Sequence, residues 1–208
     1  MTNTLHRRGT KENLANDFVI FVSPAAGVNK EGCAPRIKEF LRICLAQGPV
    51  NVGNGEEKPV PAAEWPRLID RCTDSSSATA TFDDPGKVAA VLKALVAADL
   101  GLSINISGLA DAVDGLCRSA GIVRHSIEHS LGIWGARNRL PADPYLEIHT
   151  MCGHGMVSHN LIRKMVEMVK MGKMTSAQAA AYLAKPCSCG AFNPTRARLL
   201  IEKMLEVG

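Results

Sequence analysis

The sequence predicts an α/β or α+β fold: a mixed sheet with ferredoxin-like βαββαβ units, followed by a helical C-terminal segment. Three observations predict it. Phe18-Val19-Ile20-Phe21-Val22 is a short continuous apolar run, the pattern of a buried strand. A strand pattern at 78–82, a capped helix pattern and a strand pattern at 102–107 follow in order. After Met156 the apolar residues fall almost entirely at helical spacing. The expected division is a sheet domain over 1–150 and a helical segment over 151–208 that completes a Cys/His site.

The elements justify themselves in order. Arg7-Arg8 has no apolar run behind it, so it reads as a surface arm rather than an export signal. After the first strand, Pro24 and the glycine loop to Cys33 lead into a helix from Pro35 to Gln47. Proline stands in its first turn and Gly48 stops it. Gly53 to Pro66, rich in Gly, Pro and Glu, reads as an exposed loop whose end Trp65 and Leu68-Ile69 tack to the core.

Asp84-Pro85 is a strong helix start, because a short carboxylate caps free N–H groups and proline tolerates the first turn. Val88, Val91, Leu92 and Leu95 then repeat at helical spacing. The order β-α-β-β-α-β suits a split β-α-β sandwich with helices on one face. Leu109 to Ala120 is a helix. Ile122 to Trp134 fits either period, and Gly132 and Gly135 favour strand. Tyr145 to His149 alternates as a strand. Helices are expected over 156–171, from the cap Thr175 to Ala184, and from Asn193-Pro194 to the end.

Composition bounds the function. Hydrophobic residues make up 46% of the chain, enough for a sizeable core, and the aromatic share of 4% leaves it aliphatic. A net charge of +4 with scattered basic residues, and few aromatic stacking platforms, argue against a nucleic-acid partner. No window has the apolar length of a membrane span. The expected location is the cytoplasm, where the seven cysteines are thiols or metal ligands rather than disulfides.

The chemistry concentrates in two glycine-flanked loops, Cys152-Gly-His154-Gly and Cys187-Ser-Cys189-Gly. Three thiols and an imidazole make a four-ligand set for a soft or borderline metal. Each loop precedes a predicted helix, whose N-terminal dipole favours thiolate. Zinc sites usually show C-x2-C, and Cys-Ser-Cys is tighter; this favours an iron–sulfur cluster on Cys152, Cys187 and Cys189, with zinc as the alternative. His154 is then the fourth ligand or an acid/base group at an open iron, acting on a small-molecule substrate or redox partner. A metal-free thiol enzyme with Cys152 as nucleophile and His154 as base is a third reading.

Other candidates stand around this set. His149, His159 and Cys33 are spare ligands, and Cys44 and Cys117 read as core. His125-Ser-Ile-Glu128-His129 matches the H-x-x-E-H pattern of inverted zinc peptidases if it is helical. A more modest expectation is that His125, Glu128 or His129 lines the same pocket as the cysteine centre. Arg137 and Arg139 read as turn residues able to hold an anion.

Overall fold

A computed structural model of the chain describes residues 6–57 and 59–206. Four strands, β1 (Phe18–Val22), β2 (Asn51–Gly53), β3 (Thr79–Phe82) and β4 (Ile104–Ser107), form one sheet in the order β2-β3-β1-β4. After the four-residue α1 (Lys11–Leu14), α2 (Ala34–Ala46) joins β1 to β2. The short α3 (Trp65–Asp70) lies between β2 and β3, and α4 (Pro85–Ala98) joins β3 to β4. This is the expected βαββαβ order with one helical turn added. Strands joined through α2 or α4 are separated by a third strand, so every adjacent pair is antiparallel. The sheet is therefore not mixed in direction, although the fold is α+β.

The register explains why β1 is apolar throughout. Phe18, Ile20 and Val22 face one side with Val52, Ala80 and Phe82, and pack into a core with α2 and α4. Val19 and Phe21 face the other side and pack into a second core. Helices thus cover both faces rather than one. The second face also carries Asn51, Gly53, Thr79 and Thr81, the small and polar half of each strand's alternation.

The second core comes from α6 (Asp143–Thr150), α7 (His159–Lys170), α8 (Ser176–Ala184) and α9 (Pro194–Glu206), which follow α5 (Ala110–Ser119). Their starts follow from the sequence. Ser158 accepts from the Leu161 N–H, and Thr175 with Gln178 forms a reciprocal capping box. Ile162, Met165, Leu183, Phe192 and Ile201 are buried here. Each such side chain contributes about 1.5–3 kcal/mol of burial. The helical layer begins at Asp143, eight residues ahead of the division placed at 151.

Three local expectations are corrected. Tyr145–His149 is helical, because Asp143 and Pro144 occupy a first turn; burial of Leu146 and Ile148 imitates alternation. Ile122–Trp134 forms no regular element and is largely exposed, Val123 and Leu131 to more than 80%. Arg7 is no surface arm: its side chain is buried and pairs with Asp17. Among the described residues no helix is long and apolar enough to cross a membrane.

Candidate metal centre

The two predicted loops meet on the second face of the sheet. Cys152 follows α6 in a tight connection to α7, and Cys187 and Cys189 lie between α8 and α9. The Cys187 and Cys189 sulfurs are 3.6 Å apart, and the Cys189 sulfur is 3.7 Å from His154 Nδ1. Cys152 and Cys187 share a hydrogen bond. All three thiols are buried, whereas His154 is exposed.

Glycine shapes both loops in the same way. Gly153 and Gly190, each one residue beyond a cysteine, have φ of +72°, a left-handed turn that other residues adopt at a cost. The turn brings the next N–H back to the sulfur. His154 N–H, with Met156 N–H, donates to Cys152, and Ala191 N–H donates to Cys189.

These donors set the charge state. The hydrogen bond from Cys187, helped by the two N–H groups and the His154 ring, outweighs burial and pulls Cys152 down to about 5. Cys189 is pulled down to about 6, again first by Cys187, then by Ala191 N–H and His154. Cys187 is hydrogen-bonded to both neighbours, and those bonds and burial raise its pKa. Three sulfurs beside an imidazole make a set of soft donors and also a nucleophilic set.

The sheet holds the Cys187–Phe192 loop by its backbone. Thr81 Oγ1 donates to the Gly190 carbonyl at 2.8 Å, and Asn51 Nδ2 to the Phe192 carbonyl at 2.8 Å. Gly53 lies so close that a Cβ there would stand 2.4 Å from the Cys189 carbonyl carbon. Thr79 Oγ1, on the same face, is buried with no hydrogen-bond partner among the described residues.

Arg7 ties the two loops together. Its Nη2 donates to the carbonyl of Met151, just before Cys152, at 2.9 Å, and also to the carbonyl of Ala191. Its other amino group pairs with Asp17, which Arg196 holds from the opposite side at 3.0 Å. No motif points to Arg7, Asp17, Thr81, Asn51 or Gly53 as part of this centre, because each acts on backbone or on a partner far away in sequence. The available signal is Asp17 itself, a carboxylate directly ahead of a fully apolar strand.

The spare candidates have other partners. Cys33 caps α2 in the first core, on the opposite face, and donates to the Asp74 carbonyl at 3.5 Å, so it does not join the centre. His149 and His159 form a pair of their own, with ring centroids 4.0 Å apart and His149 Nδ1 2.8 Å from the Val157 carbonyl oxygen. Burial, then the His149 charge, lowers the His159 pKa.

His125, Glu128 and His129 lie on the irregular segment, so the helical face that the peptidase pattern needs is absent. They line a cavity of about 530 Å³ whose lining includes none of Cys152, His154, Cys187 and Cys189. Arg137 and Arg139 sit in an exposed 3-10 turn.

A metal ion needs its donors around one centre. Among the described residues no group of three or more His, Cys, Asp or Glu side chains has that arrangement as it stands. No protein-family model, curated protein or solved structure matches the chain.

Proposed function

We propose that Cys152, His154, Cys187 and Cys189 bind one soft or borderline metal ion, with zinc the first choice, and that this metalloprotein centre pins the C-terminal helices to the sheet. The sulfur spacing carries the reading. Thiolates on one tetrahedral zinc stand about 3.8 Å apart, close to the 3.6 Å between Cys187 and Cys189 and the 3.7 Å from Cys189 to His154. The N–H groups aimed at Cys152 and Cys189 stabilise thiolate, the form a metal takes. Gly153 and Gly155 flank His154 and give its loop the freedom to bring the ring onto the ion.

The second reading is an iron–sulfur cluster on Cys152, Cys187 and Cys189, with redox or Lewis-acid chemistry on a small molecule. The exposure of His154 favours it, since an exposed fourth donor leaves an exchangeable position. Against it, each cysteine of a cluster takes its own iron, which spreads the sulfurs beyond the observed spacing. All seven cysteines are free, which suits a reducing compartment such as the cytoplasm under either reading.

Purification without oxygen followed by metal analysis tests both. Colourless protein with one zinc per chain is the expected result. Brown protein containing iron and sulfide replaces zinc with the cluster. Metal-free protein that takes up neither zinc nor iron on reconstitution overturns the metal centre and leaves a thiol site with Cys152 as nucleophile.

A further inference from the structure

Cys187 stands between two other sulfurs. It lies 3.6 Å from the Cys189 sulfur and shares a hydrogen bond with Cys152. The backbone makes the closer pair. Gly190 N–H donates to the Cys187 carbonyl at 3.1 Å, closing a turn over 187–190 that brings the two side chains together. A disulfide needs an S–S distance of about 2.05 Å, so the two sulfurs have roughly 1.5 Å to close, a movement that side-chain rotation supplies.

The chain's other four cysteines are placed differently. Cys33, Cys44, Cys72 and Cys117 lie in the first core, on the opposite face of the sheet. Cys33 and Cys72 donate to the carbonyls of Asp74 and Leu68 at 3.5 and 3.6 Å. Burial pushes all four thiols up, which makes them inert. Within the close pair, Cys189 is the accessible end, 6% exposed against 1% for Cys187. Ala191 N–H donates to its sulfur, and His154 Nδ1 stands 3.7 Å away. Both are placed to stabilise that sulfur as a nucleophile.

We propose that the Cys187–Cys189 pair is a redox switch on the metal centre: a hydroperoxide oxidises Cys189, and Cys187 closes a disulfide that removes both sulfurs as ligands. The Cys189 sulfur attacks one peroxide oxygen. An S–O bond forms, the O–O bond breaks, and the thiol proton leaves with the hydroxide as water. The Cys187 sulfur then attacks the Cys189 sulfur. The S–S bond forms, the S–O bond breaks, and the Cys187 proton leaves with the hydroxyl as a second water. The two sulfurs lose two electrons and the peroxide gains them. The bridge needs only the thiols; its effect on the metal rests on the metal reading above.

Hydrogen peroxide added to the reduced, chelator-treated full chain, followed by peptide mass mapping, tests the bridge. A Cys187–Cys189 disulfide that dithiothreitol reverses is expected. It should form about tenfold or more faster than any oxidation of Cys33, Cys44, Cys72 or Cys117. A bridge through Cys152, or oxidation spread evenly over the seven cysteines, overturns the assignment. Cys187→Ser removes the second sulfur, so dimedone should then label Cys189. A label on Cys152 instead overturns the order of attack.

Zinc uptake by the same samples tests the switch. The reduced chain should take up one zinc per chain and the oxidised chain a trace, with uptake restored by dithiothreitol. A bridged chain that still takes up zinc overturns the switch. A reduced chain that takes up neither zinc nor iron overturns the metal reading and the switch with it, while the bridge stands or falls on the mapping.

Discussion

The guanidinium of Arg196 stands 3.0 Å from the carboxylate of Asp17, and these side chains are 3% and 0% exposed. Burial pushes the Asp17 carboxyl up. Arg7 and Arg196, with hydrogen bonds from Arg7 and Asn193, outweigh it and hold the carboxyl below its usual value. A depressed carboxylate contributes stability that is fully present above the unfolded pKa of about 3.9 and is lost as pH falls through the lower folded value. Urea melts of the wild type should therefore weaken below about pH 4. Asp17→Asn should cost about 3–5 kcal/mol at neutral pH, because it leaves two buried guanidiniums short of a counter-charge. It should also flatten that acid limb. An unchanged acid limb in the variant would assign the loss to other carboxylates.

Two glycines should respond in opposite senses. Gly53→Ala places a methyl 2.4–2.6 Å from the backbone of Ser188, Cys189 and Gly190, so the loop must lift from the sheet. A loss of about 2–4 kcal/mol is expected. Gly115→Ala, inside α5 with nothing within 4 Å, should gain about 0.5–1 kcal/mol. Chemical denaturation measures both.

The proposed metal centre predicts that serine at Cys152, Cys187 or Cys189 reduces metal from one per chain to trace. Serine at Cys33, which is buried in the other core, should change stability and leave metal content alone. Metal analysis of the four variants is the check, and equal retention by all four contradicts the assignment.

Thr81→Val removes the donor to the Gly190 carbonyl while keeping the side chain's shape. A buried acceptor left unmade costs about 1–3 kcal/mol. Because Gly190 adjoins Cys189, the proposed metal centre predicts a larger loss in metal-loaded protein than in protein stripped of metal. Paired thermal melts with and without a chelator read the difference.

Much of this was legible in the sequence for local reasons. Caps such as Asp84 and Thr175, the apolar run at 18–22 and the helical spacing after 156 act within a few residues, and each of those elements formed where its pattern lies. The convergence of Cys152, Cys187 and Cys189 was also legible, because glycine-flanked thiols have few purposes in a turn. What stayed hidden depends on distant partners. Arg7 reads as a solvated arm until Met151, Ala191 and Asp17 surround it. Tyr145–His149 alternates because one helix side meets two neighbours, which no period over five residues separates from a strand. His125 and His129 share a motif but no helix to set its geometry.

The burial of β1 on both of its faces has a dynamic consequence. Val19 and Phe21 belong to one core, and Phe18, Ile20 and Val22 to the other, so neither core can loosen without exposing the strand they share. The β1 amides are bonded to β3 on one side and β4 on the other. They should exchange with solvent deuterons only through opening of the whole molecule, at a single slow rate common to all five residues. Amides of the irregular 122–134 segment should exchange almost at once. The strand is thus the slowest clock in the chain, and its rate reports the joint stability of the two layers.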